Sequence, residues 1–85
     1  MIWTATLICK MDKINFRIIA IVHDSETEMA YDIIFEDGTE FVSSVDDLLS
    51  LDQIKRSALG QKGIIEVKRL SHNTWRIITN KSVVR

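Results

Sequence analysis

The stretch Tyr31 to Ser50, YDIIFEDGTEFVSSVDDLLS, sets a strand, a two-residue turn, a second strand and a capped helical start in immediate succession. The rest of the chain has to be arranged around it. In Tyr31-Asp32-Ile33-Ile34-Phe35 the odd positions are apolar and the even ones polar except Ile34, which is the alternation of a half-buried strand. Asp37-Gly38 suits a type I′ hairpin, because both central residues need positive φ and glycine takes it without a Cβ clash. That turn predicts Ile34 opposite Phe41 and Ile33 opposite Val42. Tyr31, Ile33, Phe35 and Val42 then share a core face, while Ile34 and Phe41 meet on an outer face among Asp32, Glu36, Thr39 and Ser43. An apolar pair in that setting is either a contact under a second layer of the domain or a patch exposed to a partner.

The flanking segments continue the β pattern. Ile2 to Cys9 alternates and carries β-branched and aromatic side chains, so it reads as strand one, with Trp3 as a core anchor and Cys9 as a small core residue. Lys10 to Lys13 is the first turn. Ile14 to Val22 is apolar on both faces apart from Asn15 and Arg17, as a central strand should be. The segment His23 to Glu28 reads as an exposed loop, and His23 has no second ligand at metal-binding spacing.

After the central hairpin, Ser44 with Asp47 and Ser50 with Gln53 both resemble capping boxes. They admit one helix from about Val45 to Leu59, or a short turn and a second helix from Leu51. Leu48, Leu51, Ile54, Ala58 and Leu59 form the buried stripe, Lys55 and Arg56 suit the helix's negative end, and Gly60 suits its close. In the last hairpin a three-residue loop Ser71-His72-Asn73, with Asn73 left-handed, places Val67, Arg69, Trp75 and Ile77 on one face. It also makes Lys68 and Arg76 cross-strand neighbours, a like-charge pairing that an anion would relieve.

An apolar strand, a turn ending in glycine, a short polar strand and the turn Asp47-Leu48-Leu49-Ser50 resemble the middle of a Tudor domain, a small SH3-like barrel. The upstream FRIIAIVHDSETEMAYDII, Phe16 to Ile34, is similar to that family's long bent hairpin, so the resemblance covers about residues 16 to 50. It implies the barrel fold. At the positions matching the family's methyl-reading aromatic cage this chain carries Ile34 and Asp37, so methyl reading is not carried over. The expected fold is mainly β with one helix, in the order β-β-β-β-α-β-β, closed as an SH3/Tudor-like barrel or laid out as an α+β roll.

Eighty-five residues, three glycines and no proline give a single small domain, 1–85, with one modest core. A lone cysteine excludes an internal disulfide and fits a reducing, cytoplasmic setting, and no apolar run reads as a signal peptide or membrane span. The net charge of −1 conceals a split along the chain. Residues 24 to 52 hold ten acidic side chains and no lysine or arginine, whereas residues 53 to 85 hold eight basic ones against Glu66. Such a split either steers a charged partner or closes into ion pairs across the sheet.

No nucleophile and base, metal set or phosphate loop can be assembled, so neither an enzyme nor a cofactor is expected. The first functional expectation is a nucleic-acid surface, RNA before duplex DNA, on Lys62, Lys68, Arg69, His72, Arg76 and Lys81. The alternative is a protein-interaction or inhibitor module docking through Asp32, Ile34, Glu36, Glu40 and Phe41. Edge strands open a route to a homodimer.

Overall fold

The computed structural model describes residues 1–37, 40–54 and 64–80. Five strands, β1 (Ile2–Met11), β2 (Ile14–Asp24), β3 (Glu28–Phe35), β4 (Ile64–Ser71) and β5 (Thr74–Asn80), form one antiparallel sheet in the order β1-β2-β3-β5-β4. Two short helices, α1 (Val45–Leu49) and α2 (Asp52–Ile54), and the link between them pack Leu48, Ile54 and, from the link, Leu51 into the core on one face of it. The domain is mainly β, as the alternation requires. Among the described residues its two outermost strands remain edges and the sheet is open, so the roll is the nearer of the two layouts drawn from the sequence.

The first hairpin takes the tight turn. Asp12 and Lys13 have φ of 51° and 71°, the positive values a type I′ turn needs, and Met11 faces Ile14 beside them. The central hairpin expected at Asp37-Gly38 does not form as drawn. Ile33 faces Trp75 and Ile34 faces Thr74, not Val42 and Phe41, and residues 40–43 contain no strand. Here β5 wins the edge of β3, because it brings Trp75 and Ile77 to the apolar face where the short arm from Glu40 offers one valine. Val42 still reaches the core, at 2% exposure, whereas Phe41 stands 51% exposed. Gly38 and Thr39 lie outside the described residues.

The last hairpin keeps its expected register by another route. Its turn is the two residues His72-Asn73, with Ser71 facing Thr74, and an irregularity at Leu70 restores Arg69 opposite Trp75 and Lys68 opposite Arg76. Asn73 is not left-handed, since Asp12 and Lys13 are the positive-φ non-glycine residues among those described. Its side chain ties the turn to the end of β3 instead. Nδ2 donates to the Phe35 carbonyl at 3.2 Å, Oδ1 accepts from the Ser71 and Thr74 hydroxyls, and its backbone carbonyl accepts from the Phe35 N–H at 2.9 Å.

Of the two helical options, the interrupted one forms. Ser44 Oγ accepts from the Asp47 N–H at 3.1 Å, and the Asp47 carboxylate reaches back to the Ser43 N–H, one residue earlier than a capping box would. Ser50 caps no second helix, because its hydroxyl donates to the Asp47 carbonyl while Asp52 accepts from the Gln53 N–H. Ala58, Leu59, Gly60, Lys55 and Arg56 lie outside the described residues. Two further expectations change. Trp3 sits on an edge strand and is 41% exposed, so Trp75, on β5 between two strands and 4% exposed, is the anchor. His23 belongs to β2, which runs to Asp24, and not to a loop.

Candidate functional site

Residues facing one another across an antiparallel sheet project to the same side. The helices occupy the side of Cys9, Phe16, Ile18, Ile33, Phe35 and Ile77. The other side carries three rows across the middle strands. His23, Ala30, Ile78 and Glu66 make one, Ile21, Asp32, Arg76 and Lys68 the next, and Ile19, Ile34 and Thr74 the third. Ile2, Thr4 and Thr6 continue these rows onto β1. Among the described residues no helix packs on this face.

Its centre is a carboxylate taken almost out of water. Asp32 is 8% exposed, and Arg76, directly opposite on β5, grips it with two hydrogen bonds, Nε to Oδ1 at 2.6 Å and Nη2 to Oδ2 at 2.9 Å. His23 Nε2 lies 3.2 Å from the same Oδ2, so with the carboxylate ionised it is Nε2 that carries the proton. The Arg76 bonds hold the Asp32 carboxyl below its ordinary range despite burial, and His23 adds to the effect. Asp32 in turn holds the guanidinium proton more firmly.

A histidine on an aspartate is half of a proton relay, but the one cysteine is elsewhere. Cys9 is fully buried on the helix side, where burial and the Asp52 carboxylate push its thiol up to about 11. Among the described residues no three His, Cys, Asp or Glu side chains gather for a metal ion. The arrangement can hold shape and charge, and its carboxylate is already committed.

Lys68 and Arg76 are the neighbours the sequence predicts, yet the relief of their repulsion comes from within: Arg76 from Asp32, and Lys68 from Glu66 at 3.8 Å. Arg69 points to the helix side. Its guanidinium lies 5.3 Å from the Trp75 ring centre and donates to the Ser71 and His72 carbonyls. Lys62 and Lys81 lie outside the described residues. Of the residues expected to dock a protein partner, Asp32 and Ile34 are on the open face, Glu36 pairs with Arg17 at 3.3 Å, and Glu40 shares a cleft with Arg69 and His72. The charge split along the chain is therefore partly closed in space, because β3, from the acidic half, lies directly against β5, from the basic half.

Ile19, Ile21 and Ile78 and the role of His23 escape sequence reasoning. The signal is present in β2, whose two apolar faces mark a central strand without saying whether both are covered. Among the described residues no helix is long and apolar enough to cross a membrane. Comparison with known protein families, with curated proteins and with solved structures gives no match.

Proposed function

We propose that the chain is a non-enzymatic binding domain that takes a protein partner on the open face of its sheet, centred on Ile19, Ile21, Ile34 and Ile78 around the Asp32–Arg76 pair. The observation that carries this reading is the composition of that face. An antiparallel sheet with one face in water normally alternates apolar-in with polar-out, and here the middle of the outer side is isoleucine. An apolar centre inside a rim of Thr4, Thr6, Arg17, Glu36, Glu66 and Lys68 has the layout of a protein interface. Phe41 stands exposed beyond the end of β3, and Glu40 lies instead in the cleft beside Val42 and Arg69 on the helix side.

A nucleic-acid surface is the weaker reading. It keeps Lys68, whose side chain is half-exposed, but Arg76 is engaged with Asp32 and Arg69 with Trp75, which removes two cations from phosphate contact. Affinity capture from lysate, with and without nuclease, separates the two. A retained protein that survives nuclease and is lost from Ile21→Lys/Ile34→Lys, with the circular dichroism spectrum unchanged, supports the proposal. Retention that nuclease abolishes, or that the double variant leaves intact, overturns it.

A further inference from the structure

The two edges of the sheet are protected unequally. β4 carries Glu66, Lys68 and Arg69 and is broken by irregularities at Ile65 and Leu70, devices that keep an edge from pairing with a foreign strand. β1 has none of them over Ile2 to Cys9. That run is IWTATLIC, without charge, proline or irregularity, in unbroken register with β2.

The backbone phase of β1 follows from its ends. Met1 and Asp24 exchange both of their backbone hydrogen bonds, 2.8 and 2.9 Å, so the odd residues of β1 bond to β2 and the even ones turn their N–H and C=O groups to the free edge. Lys10 confirms the phase, since its N–H on that edge is taken by Asp52 Oδ1 at 3.1 Å. The open part of the edge is therefore Ile2, Thr4, Thr6 and Ile8. Among the described residues no strand pairs with it.

We infer that this edge pairs with β1 of a second copy of the chain, antiparallel, about a two-fold axis through Ala5. Two requirements select that register. Even residues must face even residues, so that each pair exchanges its bonds, and an axis at Ala5 does this. The side chains must also match, and the strand reads alike from either end. Ile2 faces Ile8, Thr4 faces Thr6, Trp3 faces Leu7, and Ala5 faces itself. No charge enters the contact, and the pairing window closes where Asp52 claims Lys10.

The helix side of the same edge supplies the packing. Trp3, Ala5 and Leu7 border an apolar cleft of about 220 Å³ that reaches back to Ala20, Ile33 and Ile54. In the paired arrangement Trp3 of each copy lies beside Leu7 of the other at the mouth of that cleft. This accounts for a tryptophan left 41% exposed on the same face of β1 that sends Cys9 and Leu7 to the core. The contact runs along the edge of the sheet and shares Thr4 and Thr6 with the rim of the open face assigned to a partner above, but not that face's isoleucine centre.

Sedimentation equilibrium of the full chain, together with cysteine cross-linking, tests the inference. The wild type is expected at twice the single-chain mass. Thr6→Pro removes an N–H that points away from β2, so it should halve the mass while the circular dichroism spectrum is retained. Ala5→Cys should form a disulfide-linked dimer under mild oxidant and Thr6→Cys should not, since Thr6 faces Thr4 and not itself; this pair keeps the test decisive if the proline variant fails to fold. A wild type that stays monomeric into the high micromolar range overturns the inference, even if it binds a foreign strand. So does a dimer in which Ala5→Cys fails to cross-link, or a folded Thr6→Pro that remains dimeric.

Discussion

On the helix side of the sheet, Phe16, Ile18, Ile33, Phe35 and Ile77 are each 7% exposed or less, and the buried polar side chain among them, Thr79, gives its hydroxyl to the Met29 carbonyl. On the open side, Ile19, Ile21, Ile34 and Ile78 are half-buried, and the most buried group among them is a carboxylate. The first face is held by filling volume. The second is held at its centre by charge pairing, because Asp32 loses its water only where Arg76 returns two hydrogen bonds. The same strand, β3, serves both faces through alternate residues, so substitutions one position apart should report different physics.

The largest effect belongs to the filled face. Phe35→Ala removes a ring that is 1% exposed and lies 5.8 Å from the Phe16 ring, and should cost about 3–5 kcal/mol by urea denaturation. Ile34→Ala, the adjacent residue turned to the open face, should cost under about 2 kcal/mol, since part of its surface is already in water. Equal losses at the two positions would mean that the open face is covered in solution, and the comparison would break there.

Next comes the ion pair. Asp32→Ala leaves the Arg76 guanidinium without its two acceptors, and because that side chain is 36% exposed the cost should be about 1–3 kcal/mol. The Asp32→Ala/Arg76→Ala double variant should lose less than the sum of the single variants. The pH dependence has a definite sign. The folded carboxyl binds its proton less readily than the unfolded one, so its stabilisation is complete above the ordinary aspartate range. It is lost as pH falls through that range towards the lower folded value. Asp32→Asn should flatten this part of a stability profile between about pH 5 and 2. An unchanged acid limb would remove Asp32 from the account.

Most of this architecture is legible in alternation, and the parts that are not share a cause. The period-two patterns of β1, β3 and β5 and the continuous apolar run of β2 are local, and so is the Lys68–Arg76 register, because segregating Trp75 and Ile77 from Arg76 fixes it whatever the turn. Which strand lies beside β3 is not local. Asp37-Gly38 is a strong turn signal, but the edge it would offer Val42 is contested by Trp75, and only the contest decides. The same outcome sets Asp32 against Arg76 and partly closes the charge split, so the site is hidden from the sequence for the same reason as the topology. His23 reads as a loop residue because the polar run from His23 to Glu28 hides that β2 continues two residues beyond Val22.

The smallest expected effect tests the comparison most closely, because it leaves the backbone, the strand and the charge alone. Ile78 stands on β5 beside Ile77, which is fully buried, and before Thr79, whose hydroxyl on the helix side has a carbonyl to bond. Ile78→Thr keeps a β-branched side chain in the strand and puts its hydroxyl on a face that water reaches. It should therefore cost no more than about 1 kcal/mol, a shift of a few degrees in Tm. At Ile77 the same hydroxyl would be sealed in and would add the penalty of an unmade hydrogen bond to that of lost volume, so that variant belongs with Phe35→Ala. Because Ile78 is central to the proposed partner surface, Ile78→Thr should weaken partner retention by more than its small stability cost accounts for. A variant that loses several kcal/mol in the isolated chain would show that this isoleucine is packed and not presented, and the open face would then be a second core.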